Sequence, residues 1–106
     1  EHAIQTRASR RTAFDANTVI QQIGQSNLMA VGARDFTQDG SSLTFRITIT
    51  TGTKHWIKVA LNGMDTYDVE LISMKRGSYS PETLETVSGV YSDMLGETVY
   101  RLGTPN

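Results

Sequence analysis

Residues 43–50 read LTFRITIT, the clearest stretch of the chain in which apolar and polar residues alternate one by one. Side chains of a β-strand point alternately to the two faces of its sheet, so this pattern predicts a strand with one buried face. Two later segments alternate in the same way, HWIKVAL at 55–61 and YDVEL at 67–71. Together these segments predict the centre of a β-sheet.

Turn signals separate these strands. They lie at 38–41 (QDGS), 51–53 (TGT) and 62–63 (NG), and each is rich in residues that favour tight turns. A fourth strand is predicted at 27–36, before the first turn. The apolar residues that share one parity there are Met29, Val31 and Ala33.

Helices are predicted at both ends of the strand region. Asp15 is expected to cap a short helix over 16–24, with Phe14 and Val19 at the spacing of a hydrophobic staple. Ser80-Pro81-Glu82 gives the start of a longer helix that runs to residue 102. Apolar or small residues recur in it at steps of three and four: Leu84, Val87, Tyr91, Met94, Leu95, Thr98 and Leu102.

The predicted fold is therefore α+β. It is a two-layer sandwich in which a four-stranded antiparallel meander carries the N-terminal short helix and the C-terminal helix on one face, in the order αββββα. The length of 106 residues suits one domain. We place that domain at 14–106 and expect residues 1–13 to form a flexible basic arm.

Composition narrows the expected function. The chain has no cysteine, which excludes disulfides and thiolate metal sites. Its net charge of −1 argues against broad electrostatic binding of nucleic acid. No apolar run approaches the ~18 residues that span a bilayer, and residues 1–5 lack a signal-peptide pattern. We expect a protein that acts inside the cell and not in a membrane.

The N-terminal arm is locally basic, with Arg7, Arg10 and Arg11 against Glu1. It is either a solvated, unstructured segment or an arm that contacts phosphates.

The helices of this fold cover only one face of the sheet. The other face is expected to meet water, a partner or a second copy of the chain. It is polar, rich in threonine and partly basic, and it holds one large aromatic residue. Strand parity assigns to it Leu28, Ala30, Gly32, Arg34, Thr44, Arg46, Thr48, Thr50, Lys54, Trp56, Lys58, Ala60, Asp68, Glu70 and Ile72.

Two interpretations of this face stay open. In the first, Lys58 and Arg46 pair across the strands with the acids Glu70 and Asp68, and Trp56 is a good strand former on a wet surface. In the second, Trp56 is a binding anchor. It is then either the hot spot of a protein or self-association interface, or a platform that stacks a nucleic-acid base. The basic residues expected around it are Arg34, Arg46, Lys54 and Lys58.

The sequence offers little that predicts catalysis. Of its two histidines, His2 lies in the arm and His55 points inward by parity. Asp65, Asp68 and Glu70 are close in sequence but divided between a turn and a surface, so they do not predict an acid–base pair in a cleft. A glycine-rich phosphate loop, metal-ligand spacing and a nucleophile elbow are missing from the sequence. We expect no enzymatic activity, no cofactor and no metal.

Several segments resemble a family of small uncharacterised proteins encoded by bacteriophages and related mobile elements. They are NLMAVGARDF at 27–36, LTF at 43–45, VALNGMDTYDVE at 59–70 and VYSDML at 90–95. The resemblance spans about residues 17–102, and 61–70 is its most specific part. It implies a bacterial cytoplasm and an accessory role, such as DNA metabolism, counter-defence or control of host proteins. It brings no catalytic residue and no cofactor.

The segment 62–67 is longer than a minimal hairpin turn. It is either a structural loop, since Asn62 and Gly63 tolerate positive φ, or a binding loop that displays Met64, Asp65 and Tyr67.

The first hypothesis for function is a binding protein that contacts a bacterial host or defence protein through the open sheet face, or that forms a homo-oligomer such as a homodimer. The alternative is nucleic-acid binding through Trp56 and its basic neighbours, with Arg7, Arg10 and Arg11 assisting.

Overall fold

The computed structural model describes residues 14–49, 54–74 and 80–104. The predicted arm at 1–13 and the predicted turn at 51–53 lie outside these residues. The elements follow in the order α1 (Ala16–Ile23), α2 (Gln25–Ala30), β1 (Arg34–Asp39), β2 (Ser42–Ile47), β3 (Lys54–Leu61), β4 (Tyr67–Met74), β5 (Glu82–Val90), a 3-10 turn (Ser92–Met94) and α3 (Leu95–Gly103). The predicted α+β class is confirmed, but the predicted order αββββα is wrong, because the described residues hold five strands and a second helix before them.

The start of the domain forms as its sequence predicts. The Asp15 carboxylate accepts a hydrogen bond from the backbone N–H of Asn17 (3.1 Å), which caps α1. Phe14 packs against the core, and Val19 and Ile23 of α1 are buried members of that core. Gly24 ends the helix with a φ of 93°, a conformation that glycine adopts without strain.

The strand predicted at 27–36 is wrong for its first half. Residues 25–30 form α2 instead, and only 34–39 pair as a strand. Leu28 and Val31 lie three positions apart and are both buried, as on one face of a helix. Leu28, Ala30 and Gly32 therefore do not belong to the sheet face to which parity assigned them.

The long helix predicted from Pro81 to residue 102 is also wrong. Residues 82–90 form β5, and the helix begins only at Leu95. β5 is an edge strand whose side chains are mostly exposed, so no alternation of buried residues marked it in the sequence. Its β-branched residues Thr83, Thr86, Val87 and Val90 suit a strand better than a helix.

The sheet is an antiparallel meander in the order β1-β2-β3-β4-β5. Both of its edges are irregular. In β1 the register shifts between Arg34 and Thr37, and Asp35 between them has a φ of 56°. The pairing of β5 with β4 shifts twice, and Gly89 in β5 has a φ of 69°.

The helices pack on one face of this sheet, and the core lies between the two layers. The sheet contributes the inward residues of the three central strands, as their alternation predicts. The fully buried side chains of the core are Phe45, Ile23, Leu43, Ile57, Leu95, Leu102, Val19, Val31, Val59, Val69 and Val99.

Two glycines of α3 allow the helices to approach closely. A Cβ atom on Gly96 would collide with the backbone oxygen of Ile23 and with the side chain of Asn27. A Cβ atom on Gly103 would collide with Val31. Their absent side chains therefore set the separation of α3 from α1 and from the residue that follows α2. No helix in the described part of the chain has the length and hydrophobicity needed to cross a bilayer.

Candidate functional site

The face of the sheet opposite the helices carries the second set of alternating side chains, and we call it the open face. Its members on the three central strands are partly buried, apart from Ser42, which is buried, and Lys54, which is exposed. They are Ser42, Thr44 and Arg46 on β2, Lys54, Trp56, Lys58 and Ala60 on β3, and Asp68, Glu70, Ile72 and Met74 on β4. The prediction that parity sorts the residues of β2, β3 and β4 into a buried and an uncovered set is therefore confirmed.

Trp56 lies at the middle of a row that crosses all five strands. Arg46 is its neighbour on β2 and Ile72 its neighbour on β4. Arg34 lies beyond Arg46 on β1, and Thr83 lies beyond Ile72 on β5. The indole therefore separates two arginines on one side from apolar surface on the other.

A shallow groove adjoins Trp56, mostly on the apolar side of this row, and Thr44 of β2 extends it past the indole. It has a volume of about 220 Å³ and is lined by Thr44, Trp56, Ile72, Met74 and Pro81. An apolar cavity of roughly 150 Å³ admits a benzene molecule, so the groove has room for one large apolar side chain.

The charges of the open face are largely separated by strand. The bases lie on β1, β2 and β3, and the acids Asp68 and Glu70 lie on β4, with a third acid, Asp39, opposite Ser42 at the end of β1. Lys58 and Glu70 are direct cross-strand neighbours, yet neither forms an ion pair with any residue of the described chain. Glu70 therefore offers an open carboxylate beside an open ammonium group.

The predicted pairing of Arg46 with Asp68 is wrong, because β3 lies between their strands. Asp68 is held elsewhere. Its carboxylate oxygen accepts from the side-chain amide of Asn62 (3.1 Å) and from the backbone N–H of Gly89 (3.3 Å). This carboxylate therefore ties the β3–β4 loop to β5.

The loop at 62–66 is built around the side chain of Asn62. Its amide group donates to Thr66 Oγ1 (2.8 Å), and its Oδ1 accepts from the backbone N–H groups of Met64 (2.8 Å) and Thr66 (3.3 Å). Asp65 adopts a φ of 61°, which aspartate tolerates better than most residues. These bonds favour the structural interpretation of the loop, although Met64 (84% exposed) and Asp65 do point to solvent.

Tyr67 is not displayed, and its prediction as a binding residue of this loop is wrong. The side chain is buried, and its hydroxyl donates to Gln22 Oε1 in α1 (3.0 Å). Burial raises the pKa of Tyr67 above its ordinary value. Tyr67 has the same parity as Val69 and Leu71, so its inward direction was visible in the sequence.

The candidate residues around Trp56 are brought together in part. Arg34 and Arg46 share its row, and Lys58 lies two residues further along β3 on the same face. Lys54, which stands opposite Met74, lies two residues from Trp56 in the other direction. Arg7, Arg10 and Arg11 lie outside the described residues.

Two residues of the groove were not predicted. Met74 could have been found by continuing the alternation of β4 past Ile72. Pro81 could not have been found, because the sequence analysis assigned it and the residues after it to a helix.

Other side chains with chemical potential are dispersed. His55 is buried on the inward side of β3, opposite Ile47 and Ser73. Among the described residues there is no group of three or more His, Cys, Asp or Glu side chains placed to hold a metal ion.

The open face, with Trp56 between arginines and an apolar groove, is therefore the candidate site of this chain. Comparisons with protein-family models, with curated protein sequences and with solved structures find no match to it.

Proposed function

We propose that this chain is a non-enzymatic binding protein that docks a protein surface on its open face. The observation that carries the proposal is the partly exposed Trp56, which adjoins an apolar groove on one side and the Arg46–Arg34 pair on the other. Tryptophan and arginine are the residues most enriched at the energetic centres of protein interfaces. An apolar centre with a charged border is the usual anatomy of such a contact.

The resemblance of residues 17–102 to phage-encoded proteins supports an accessory role inside a bacterial cell. The partner is then a bacterial host or defence protein, or a second copy of the chain.

The test is affinity capture with three versions of the chain: wild type, Trp56→Glu and Tyr100→Glu. Tyr100 is an exposed aromatic residue of α3, away from the open face, and gives a matched control for the change from aromatic to acid. We expect wild type and Tyr100→Glu to retain the same proteins from a bacterial lysate, and Trp56→Glu to lose them. Equal retention by Trp56→Glu, with its fold verified by circular dichroism, would contradict the proposal.

A second candidate is binding of single-stranded nucleic acid, which the row Arg34–Arg46–Trp56 favours because it sets two cations beside a ring that can stack a base. Glu70 opposes it by placing a negative charge on the same face. Binding would quench the fluorescence of Trp56, the one tryptophan of the chain, and would weaken steeply with salt. A titration with oligothymidylate at low salt that leaves the fluorescence unchanged removes this candidate.

A further inference from the structure

The centre of the open face consists of two successive cross-strand pairs of different character. In one pair, Trp56 on β3 stands opposite Ile72 on β4. In the next, Lys58 on β3 stands opposite Glu70 on β4. β3 therefore presents an aromatic ring and a cation, and β4 presents an aliphatic side chain and an anion at the same two levels along the strands.

This arrangement is complementary to itself. A two-fold axis that runs parallel to the strands, midway between β3 and β4, places β3 of one copy over β4 of the other without a shift along the strands. Trp56 then lies over the partner's Ile72, and Lys58 lies over the partner's Glu70. Symmetry makes both contacts twice, as in any isologous interface.

A two-fold axis perpendicular to the strands gives a poorer match. Placed midway between the two pairs, it sets Trp56 over the partner's Lys58 and Ile72 over the partner's Glu70, so each apolar group meets a charge. Placed at the level of the charged pair, it sets Lys58 over the partner's Lys58. Placed at the level of the apolar pair, it sets Lys58 over the partner's Lys54. Of these placements, the axis parallel to the strands is the one that joins apolar groups to apolar groups and opposite charges to each other.

We infer that the protein surface docked on the open face is that of a second copy of this chain, stacked face to face about this axis. The inference rests on the proposed function and names its partner. Trp56 and Ile72 supply the apolar contact that gives affinity. Lys58 and Glu70 supply charge complementarity, which fixes the orientation and rejects mismatched partners more than it adds affinity.

The available area suits a reversible dimer. Stacking about this axis overlaps β2, β3, β4 and β5, and strands lie about 4.8 Å apart and rise about 3.3 Å per residue. The overlap then has a projected area of roughly 400–500 Å² per copy, or about 800–1,000 Å² in total, which lies below the roughly 1,200–2,000 Å² of stable interfaces and in the range of weak, reversible contacts. The twist of the two sheets, about 30° in aligned packings, keeps the register best at the centre, where both pairs lie.

The test is the mass in solution, measured by sedimentation equilibrium over a wide range of concentration. Wild type and the control Tyr100→Glu are expected to move from 11.7 kDa toward twice that mass as concentration rises. Trp56→Glu is expected to stay at the monomer mass. A wild type that remains monomeric at every concentration overturns the inference, and so does a Trp56→Glu variant that dimerises as wild type does.

Charge reversal gives a sharper test that does not depend on Trp56. Lys58→Glu presents two acids at this pair and Glu70→Lys presents two bases, so each variant alone repels its own copy. Each is expected to dimerise at least about tenfold more weakly than wild type, since a change of ~1.4 kcal/mol corresponds to that factor. In a 1:1 mixture, both cross-contacts become attractive and the heterodimer is expected to form. A mixture no more associated than its components overturns the inference.

The two proposals fail in different ways. If the chain is monomeric but still captures a foreign protein that Trp56→Glu loses, the second copy is the wrong partner and the docking function stands. If Trp56→Glu changes neither mass nor capture, the open face is not a docking surface and both proposals fall.

Discussion

Along β3, His55, Ile57 and Val59 point to the helices and are buried, whereas the residues between them stay partly exposed. Ile57 and Val59 lose all of their accessible surface, while Trp56 and Lys58 keep part of theirs. A single strand thus serves two surfaces that alternate residue by residue. The covered surface holds the fold together, and the open face is the proposed docking surface, so we expect substitutions on the first to change stability and substitutions on the second to change binding.

The largest expected effect comes from the centre of the covered face. Phe45 is completely buried and its ring lies 5.2 Å from that of Phe36. Phe45→Ala should lower the free energy of unfolding by about 3–5 kcal/mol, because it removes buried apolar surface and leaves a cavity. Its neighbour Thr44 points to the open face, and Thr44→Ala should cost no more than about 0.5–1 kcal/mol. Urea unfolding measures both free energies, and equal losses for the two variants would contradict the division of β2 into a stabilising face and an open face.

An intermediate loss in the free energy of unfolding is expected from a substitution at Gly96, where α3 approaches α1. Gly96→Ala adds a methyl group against Ile23 and against Asn27, whose amide donates to the Ile23 oxygen (2.8 Å). Overpacking of this kind costs roughly 1–3 kcal/mol, which exceeds the gain of up to about 1 kcal/mol that alanine brings to a helix.

The matched control for that substitution is Gly63→Ala. Its added methyl group meets no atom within 4 Å, so thermal unfolding should leave this variant close to wild type. A Gly96→Ala variant that is as stable as Gly63→Ala would show that the helix layer adapts easily.

The smallest effect concerns the Tyr67 hydroxyl. Tyr67→Phe removes its hydrogen bond to Gln22 (3.0 Å), with an expected loss of roughly 0.5–1.5 kcal/mol at neutral pH. Burial raises the pKa of Tyr67 above 10.0, so the folded state keeps the proton longer than the unfolded chain does. The associated stability is present below pH 10 and is lost as pH rises through the folded pKa.

In the phenylalanine variant the alkaline decline should therefore be shallower than in wild type. Denaturant unfolding between pH 8 and about pH 11 measures it. Identical alkaline slopes for Tyr67→Phe and wild type would contradict the role assigned to Tyr67.

The sequence was most informative where one face is buried and the other is not. Alternation located β2, β3 and β4 and placed Trp56 on the open face, because burial of every second residue leaves a period of two in the chain. β5 shows no alternation, because most of its side chains are exposed and polar and apolar residues are tolerated at each of those positions. The accidental spacing of Leu84, Val87 and Tyr91 then imitated a helix.

α2 was missed for a different reason. A helix of six residues shows less than two turns of its period, and the consecutive apolar residues at 28–31 occupy both parities, so the sequence there fits a strand as well as a helix. The sequence predicted only part of the groove. Pro81 lines it because the segment that leads into β5 lies beside β4, and the sequence analysis had assigned that segment to a helix.

The irregular edges bear on what happens when copies of this chain meet. A straight, unpaired strand edge invites a neighbour to extend the sheet, and repeated extension leads to fibrils. Here the edge strand β1 is interrupted at Asp35, whose backbone is left-handed. The other edge strand, β5, is made irregular by the left-handed Gly89 and by two shifts in its register with β4. Growth by lateral addition is thereby discouraged, and an assembly that stacks two sheets by their faces is finite by construction.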